Sequence, residues 1–398
     1  MKNFSTDWVV PTLMAPSLLG LMALVSLSCS KEDSGSSPGP QAFLAAPAAS
    51  VTPERVARLL SEAPLGIGQV REVRDAVDAS SSNGYDEEYT FGNMLAAPGA
   101  GVGDALPGTR ASREYPVPLR SLLRASATRS GDCPPDFLDA LAASGLQIYW
   151  PYSEDWDGET LPVVTFDPGD GSLSNVGFER VLLDDGSWSV REIEVDESVA
   201  MSRPVWVVNR NEDEGFLTPQ MLEKLPGKLR EPSTRSSSGE LRTLTLKTFR
   251  ADRNYDSWFA GASEFWVKCG AVEHFVASSE YEMRQYSPSV TDFMIVVRRK
   301  KVGKNLPFNV VLVSEWTSQL ENCAFLIVED DGGARTSWKC SAEVKIKSKT
   351  YGFDVNLPFR RNDDIVWRGR LSHLFLEKYN NRTARFGDVN LTFSIASL

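Results

Sequence analysis

The chain has 398 residues, of which 42% are hydrophobic and 24% charged, and a formal net charge of −11. That length and apolar content predict two domains with real cores and exclude a disordered chain. An acidic balance with no clustered basic face excludes nucleic acid as a partner, and the distant pair His274 and His373, the only histidines, excludes a His-Glu-x-x-His zinc hydrolase. The charge is uneven. Residues 241–398 hold 23 Lys+Arg against 18 Asp+Glu and the remainder 19 against 35, an asymmetry expected of two separate modules.

Lys2 precedes the apolar run 8–28, "WVVPTLMAPSLLGLMALVSLS", which ends in small residues at Cys29. A basic start, an apolar middle and small residues before a cut make residues 1–28 a signal peptide. Pro11, Pro16 and the polar flank argue against a transmembrane anchor. "SLSCSKED" (26–33) resembles the signal region of bacterial lipoproteins, in which the cysteine is acylated and becomes the first residue. Ser30-Lys31-Glu32-Asp33 is similar to the tag that sends Bacteroidetes lipoproteins to the outer face of the outer membrane. The resemblance covers about a tenth of the chain. It implies lipid (palmitate) attachment at Cys29, an outer-membrane address facing the exterior and the membrane as a partner, but no activity. Residues 29–51, rich in Ser, Pro, Gly and Ala, follow as a flexible tether reaching about 25 Å.

An α+β module is expected over 52–222. Thr52-Pro53-Glu54 is a helix start, with a capping hydroxyl, proline at the first position and an acid in the first turn; Val56, Leu59 and Leu60 follow at helical spacing. A second helix is expected over about 66–78, then a long irregular stretch from 80 to 110. Further short helices fit "PLRSLLRAS" and "PPDFLDALAAS". From Leu146 the period changes to two, and "LQIYW", "LPVVTF", "RVLLDDGSWSVREIEV" and "RPVWVVN" read as strands, with Asp185-Gly186 turning a hairpin. Residues 223–240 form a polar Ser- and Pro-rich linker.

From 241 to 398 nearly every segment reads as a short strand, "AVEHFVAS" (271–278) included, which predicts an all-β antiparallel sandwich or a partly closed barrel. "NCAFLIVEDDGGARTSWKCS" reads as a hairpin turning at Asp331-Gly332. That register places Cys323 opposite Cys340 at a close non-hydrogen-bonded pair, suited to a disulfide, and Phe325 opposite Trp338. Cys133 and Cys269 are left as thiols, with a bridge between the two modules as the alternative.

No catalytic residue, metal site or cofactor motif is found. "GAGVGD" (99–104) lacks the third glycine and the preceding strand of a dinucleotide loop. His274 alternates with apolar neighbours, as a strand histidine rather than a base. Two stretches carry a binding hypothesis. In "YWPYSEDWDGE" (149–159), Trp150, Tyr152 and Trp156 are interleaved with acids that include Asp155 and Asp157. The rings suit stacking on sugars, and the carboxylates, joined by Asp170 in "DPGDGS", suit sugar hydroxyls or calcium. "NRNEDEG" (209–215) is a further acidic loop at a strand end that could converge on the same place. "GYDEEYTF" (84–91) sets three acids between tyrosines and reads as a solvated loop. The expected function is non-enzymatic binding of an extracellular glycan or protein by an outer-membrane surface lipoprotein. The alternatives are an assembly component of a surface complex and a glycoside-type hydrolase using carboxylates in 154–170.

Overall fold

The structure, a computed structural model, describes residues 51–96, 115–130, 133–212, 216–224 and 242–397. The signal, Cys29, most of the tether and "GAGVGD" lie outside the described residues, as does all of the expected linker beyond Lys224. Helix α1 (Pro53–Glu62) starts where its capping chemistry puts it: the Thr52 hydroxyl accepts from the Arg55 amide at 3.3 Å, and Val56, Leu59 and Leu60 are buried. Helix α2 (Ile67–Ser82) runs a turn past its expected end and buries Val70, Val73, Ala76 and Val77. The stretch expected to be irregular instead forms β1 (Glu88–Thr90) and α3 (Phe91–Leu95), followed by α4 (Leu119–Ser130) and α5 (Phe137–Ala142).

Five more strands join β1: β2 (Leu146–Tyr149), β3 (Val163–Phe166), β4 (Ser174–Leu182), β5 (Trp188–Asp196) and, after helix α6 (Glu197–Ser202), β6 (Val205–Arg210). Their order is β1-β2-β6-β3-β4-β5, antiparallel except for the parallel pair β3–β6. Alternation along β6 decides how this sheet is covered. Trp206 and Val208 join the core under the helices with Ile148, Val56 and Leu60, whereas Val205 and Val207 pack with Tyr149 against Trp258 and Phe259 from the second half of the chain. A short helix α7 (Pro219–Lys224) closes the first half.

The second half is a two-sheet sandwich, as its strand pattern predicts. Strands β7 (Arg242–Ala251) and β8 (Ser263–Ala271) precede the single turn α8 (Glu280–Met283). Then come β9 (Ser289–Val297), β10 (Leu306–Trp316), β11 (Leu320–Glu329), β12 (Arg335–Ile346), β13 (Lys349–Arg360) and β14 (Asp364–Ser372). Helix α9 (His373–Lys378), β15 (Thr383–Phe386) and β16 (Val389–Ser397) complete it. One sheet runs β10-β7-β16-β15; the other runs β13-β12-β11-β8-β9, with β14 also on β11. Leu244, Leu246 and Phe249 from the first meet Phe265, Val267, Phe325 and Ile327 from the second in one core, with Phe249 and Phe265 5.2 Å apart. The described residues fall in one compact unit. Besides Trp258 and Phe259, Met294 of β9 packs on Tyr85 and Met221, and the Met294 amide donates to the Leu217 carbonyl at 3.1 Å.

The expected Cys323–Cys340 bridge does not form. Strands β11 and β12 pair only at Leu320↔Val344 and Asn322↔Glu343, and from there β11 takes β14 as its neighbour. Cys323 therefore lies opposite Leu371 and Cys340 opposite Val355, and neither carries a disulfide. Phe325 meets Trp367, at 6.0 Å, rather than Trp338. The cause is the turn. Gly332 and Gly333 both take positive φ, and residues 331–334 are tied to the β13–β14 connection by Asn362 N to Gly332 O and Arg361 N to Ala334 O. The two arms splay, and β14 enters between them. "AVEHFVAS" is also mostly not strand. Beyond Ala271 the chain turns, His274 adopts φ 56°, and its ring contacts Glu315.

Candidate functional site

The stretch 149–160 lines an open pocket of about 160 Å³ closed on its far side by Ala200, Met201, Ser202, Arg203 and Pro204. Its shape follows from the end of β2. Trp150, completely packed, meets Trp156 edge-to-face at 5.6 Å and Trp206 at 6.0 Å. Tyr152 then takes the left-handed conformation (φ 60°) that only a well-held non-glycine residue keeps. Its hydroxyl donates to Glu197 Oε1 at 2.7 Å. Trp156 is half-buried and its indole N–H donates to the Thr160 carbonyl at 2.8 Å. Trp150 and Tyr152 are thus the floor, and Trp156 with the exposed Met201 forms the wall a ligand would touch.

Most of the acids here are already spoken for. Asp157 Oδ1 accepts from the amides of Glu159 and Thr160 at 2.9 and 2.8 Å, and the Thr160 hydroxyl bonds its other oxygen. The Thr160 hydroxyl and amide hold its carboxyl below the usual carboxylate range. Asp170 closes a similar turn on Ser172, outside the pocket, and is lowered by that hydroxyl and amide. Asp155 pairs with Lys300 from the second half of the chain. These oxygens serve turns and an ion pair, so Asp155, Asp157 and Asp170 do not converge on a calcium ion. Arg203 holds Glu179 at 2.7 Å, and its Nε is buried without a hydrogen-bond partner.

The acids of "GYDEEYTF" are not solvated. Asp86, Glu87 and Glu88 are all buried. Asp86 Oδ2 accepts the Ala262 amide at 3.0 Å, joining the two halves of the chain. Glu87 accepts from the Ser153 hydroxyl at 3.1 Å and lies 3.6 Å from Arg298. Burial, and then the nearby Glu154 carboxylate, push Glu87 well above the usual range. Burial works to raise Glu154 too, but its bond with Glu87 and the charges of Arg298 and Lys300 outweigh it and pull it to about 2. The two carboxyls therefore titrate as a coupled pair, with Glu87 the raised member.

A second acidic group lies at the same junction, and the sequence reading missed it. Asp256 follows β7, Glu264 lies on β8 and Glu329 ends β11, and their carboxylate oxygens come within 4.8 Å of one another. Glu264 and Glu329 are buried, Glu329 completely. Burial first, and contact with Asp256 second, push Glu329 far above the usual range. Two carboxylate oxygens can bond each other only if one carries a proton, and no N–H or O–H reaches either oxygen of Glu329. Asp167 and Glu212 follow the parallel strands β3 and β6, and burial together with the charges of Asp256, Asp330, Asp331 and Asp167 raises Glu212 to about 7.

No family fits. Neither protein-family models, curated proteins nor solved structures match this chain. Among the described residues, no helix is long and apolar enough to cross a membrane.

Proposed function

We propose that the chain is an outer-membrane lipoprotein, anchored through acylated Cys29 and facing the exterior, that binds the terminal sugar of an extracellular glycan without transforming it. The pocket beside Trp156 carries this reading. Its volume suits a single sugar ring, about five waters at roughly 30 Å³ each. Its wall offers one half-exposed indole and one thioether, with carboxylates and a guanidinium at the rim. A hydrolytic reading has less support. A general acid needs a raised carboxyl, whereas Asp157 and Asp170 are lowered by their turns and Glu154 by its neighbours. Strand β5 supports assembly as the second reading, because it edges its sheet and exposes Trp188 and Val190 beside Leu182 and Leu183.

Two measurements test this. Radiolabelled palmitate is expected to enter the protein and to be absent from a Cys29→Ala variant; equal labelling of both removes the anchor. The mature chain carrying Cys29→Ser is expected to retain a defined glycan class on an array, and Trp156→Ala to weaken it at least tenfold. Silence on the array, with self-association that Val190→Lys abolishes, transfers the function to the β5 edge.

A further inference from the structure

We infer that Asp256, Glu264 and Glu329 form a calcium site at the junction between the two halves of the chain. The spacing is that of ligands around one ion. Oxygens bound to calcium lie about 2.3–2.6 Å from it, so two of them on one ion are at most about 5 Å apart. All three carboxylates meet that limit at 4.8 Å without movement. Magnesium, at about 2.0–2.1 Å, spans only about 4.2 Å and demands a more regular octahedral shell, so the looser 4.8 Å limit suits calcium better.

The observation that points to a cation rather than to a chance cluster is Glu329. It is 0% exposed, and neither of its oxygens receives a hydrogen bond. Asp256 Oδ2 is likewise buried without a donor. The adjacent Asp330 shows what the fold does when it intends a buried carboxylate to be held by protein alone. Asp330 accepts from the Trp266 indole at 3.1 Å, the Gly332 amide at 3.0 Å and Arg360 at 3.4 Å. The contrast lies on neighbouring residues of one strand end. Arg299, whose charge acts on Asp256, places its Nη2 on the Asp256 carbonyl at 2.8 Å and its Nη1 on Glu197 at 3.0 Å, so neither Nη reaches the carboxylate. Ionising a buried carboxyl that no donor reaches is among the most costly changes in a protein, and a bound cation offsets that cost. A hard cation with oxygen ligands would supply the missing partner to Glu329 and Asp256, with Glu264 and water completing the shell.

The ligands come from the loop after β7 and from the facing strands β8 and β11, close to Asp86, which ties that loop to the first half of the chain. Binding there stabilises the folded state by mass action. The test uses the mature chain carrying Cys29→Ser, stripped with EDTA and dialysed. Isothermal titration with calcium chloride is expected to show one ion per chain with a Kd below 100 µM, and 1 mM calcium to raise the melting temperature by several degrees. Magnesium at 1 mM is expected to do neither. Glu329→Gln and Asp256→Asn are each expected to weaken calcium at least a hundredfold while leaving the circular dichroism spectrum unchanged. Lack of calcium binding by the parent chain would overturn the site even if a variant failed to fold. So would an equal response to magnesium, or undiminished binding by both variants.

Discussion

At the scale of single residues, the backbone is held tightest where another strand crowds it. Gly387, in the turn from β15 to β16, has φ 62°, and a Cβ there would lie 2.3 Å from the Val366 carbonyl oxygen. Gly186 has φ 82° in the β4–β5 turn, with open space around it. Both pay the left-handed penalty for any other residue, about 1 kcal/mol, but only Gly387 adds a backbone clash that no rotamer relieves. Gly387→Ala is expected to cost about 2–4 kcal/mol and Gly186→Ala about 1, read from urea unfolding midpoints; equal costs would remove the crowding argument. Local chemistry of this kind was legible in the sequence. Thr52-Pro53 as a helix start and Asp185-Gly186 as a turn needed only their neighbours in the chain. The acids 86–88 were not legible, because no local signal tells a solvated carboxylate from one that caps a loop 176 residues away.

Elements show where local reading fails. The 323:340 register was a sound inference from a two-residue turn, but strand β14, some 40 residues on in sequence, occupies the place β12 was expected to take. Pairing between distant strands is set by the whole core rather than by the turn. Cys323 and Cys340 are therefore expected to titrate as thiols in guanidinium without reductant, and Cys323→Ser to lower the thiol count by one. A count that rises by one in the variant, as Cys340 is released, would restore the bridge. The same limit hid the calcium ligands. Glu329 ends "AFLIVE", an apolar run in which a single acid is out of place, and that was the one available signal. Nothing in the sequence shows that Asp256 and Glu264 lie beside it. The aromatic stretch fared better. Trp156, Asp155 and Asp157 do line one pocket, although Trp150 and Tyr152 are its floor and Asp170 lies elsewhere.

At the scale of the molecule, the division into an α+β half and a sandwich half was readable from the change of period and from the strand density. Their contact was not. Trp258, 2% exposed, reaches from the second half onto the first sheet, and its indole donates to the Leu173 carbonyl at 2.9 Å. Trp258→Ala is expected to cost about 3–5 kcal/mol and to split thermal unfolding into two steps seen by calorimetry; one unchanged transition would show that the halves do not depend on this contact. Acids crowd the junction as well. Burial and the neighbouring Asp330 raise Asp363, itself only 7% exposed, to about 6, and Glu212 is raised to about 7. A raised acid favours the folded state while it keeps its proton, so its contribution is complete below about pH 4 and is lost as pH rises through 6 to 7. In EDTA, the melting temperature is expected to fall between pH 5 and pH 8. A rise over that interval would contradict the raised state of Asp363, which is buried.

The order in which strands take their places has a kinetic consequence. β6 enters between β2 and β3, and β16 between β7 and β15. Each sheet has an interior position that stays open until a strand made much later arrives. Closing such a gap demands long loops before any contact rewards them, so both sheets assemble slowly and late. On the proposed export route, a chain with that habit would stay unfolded while it is threaded through a translocation channel and would lock only after the strands that complete its sheets have emerged.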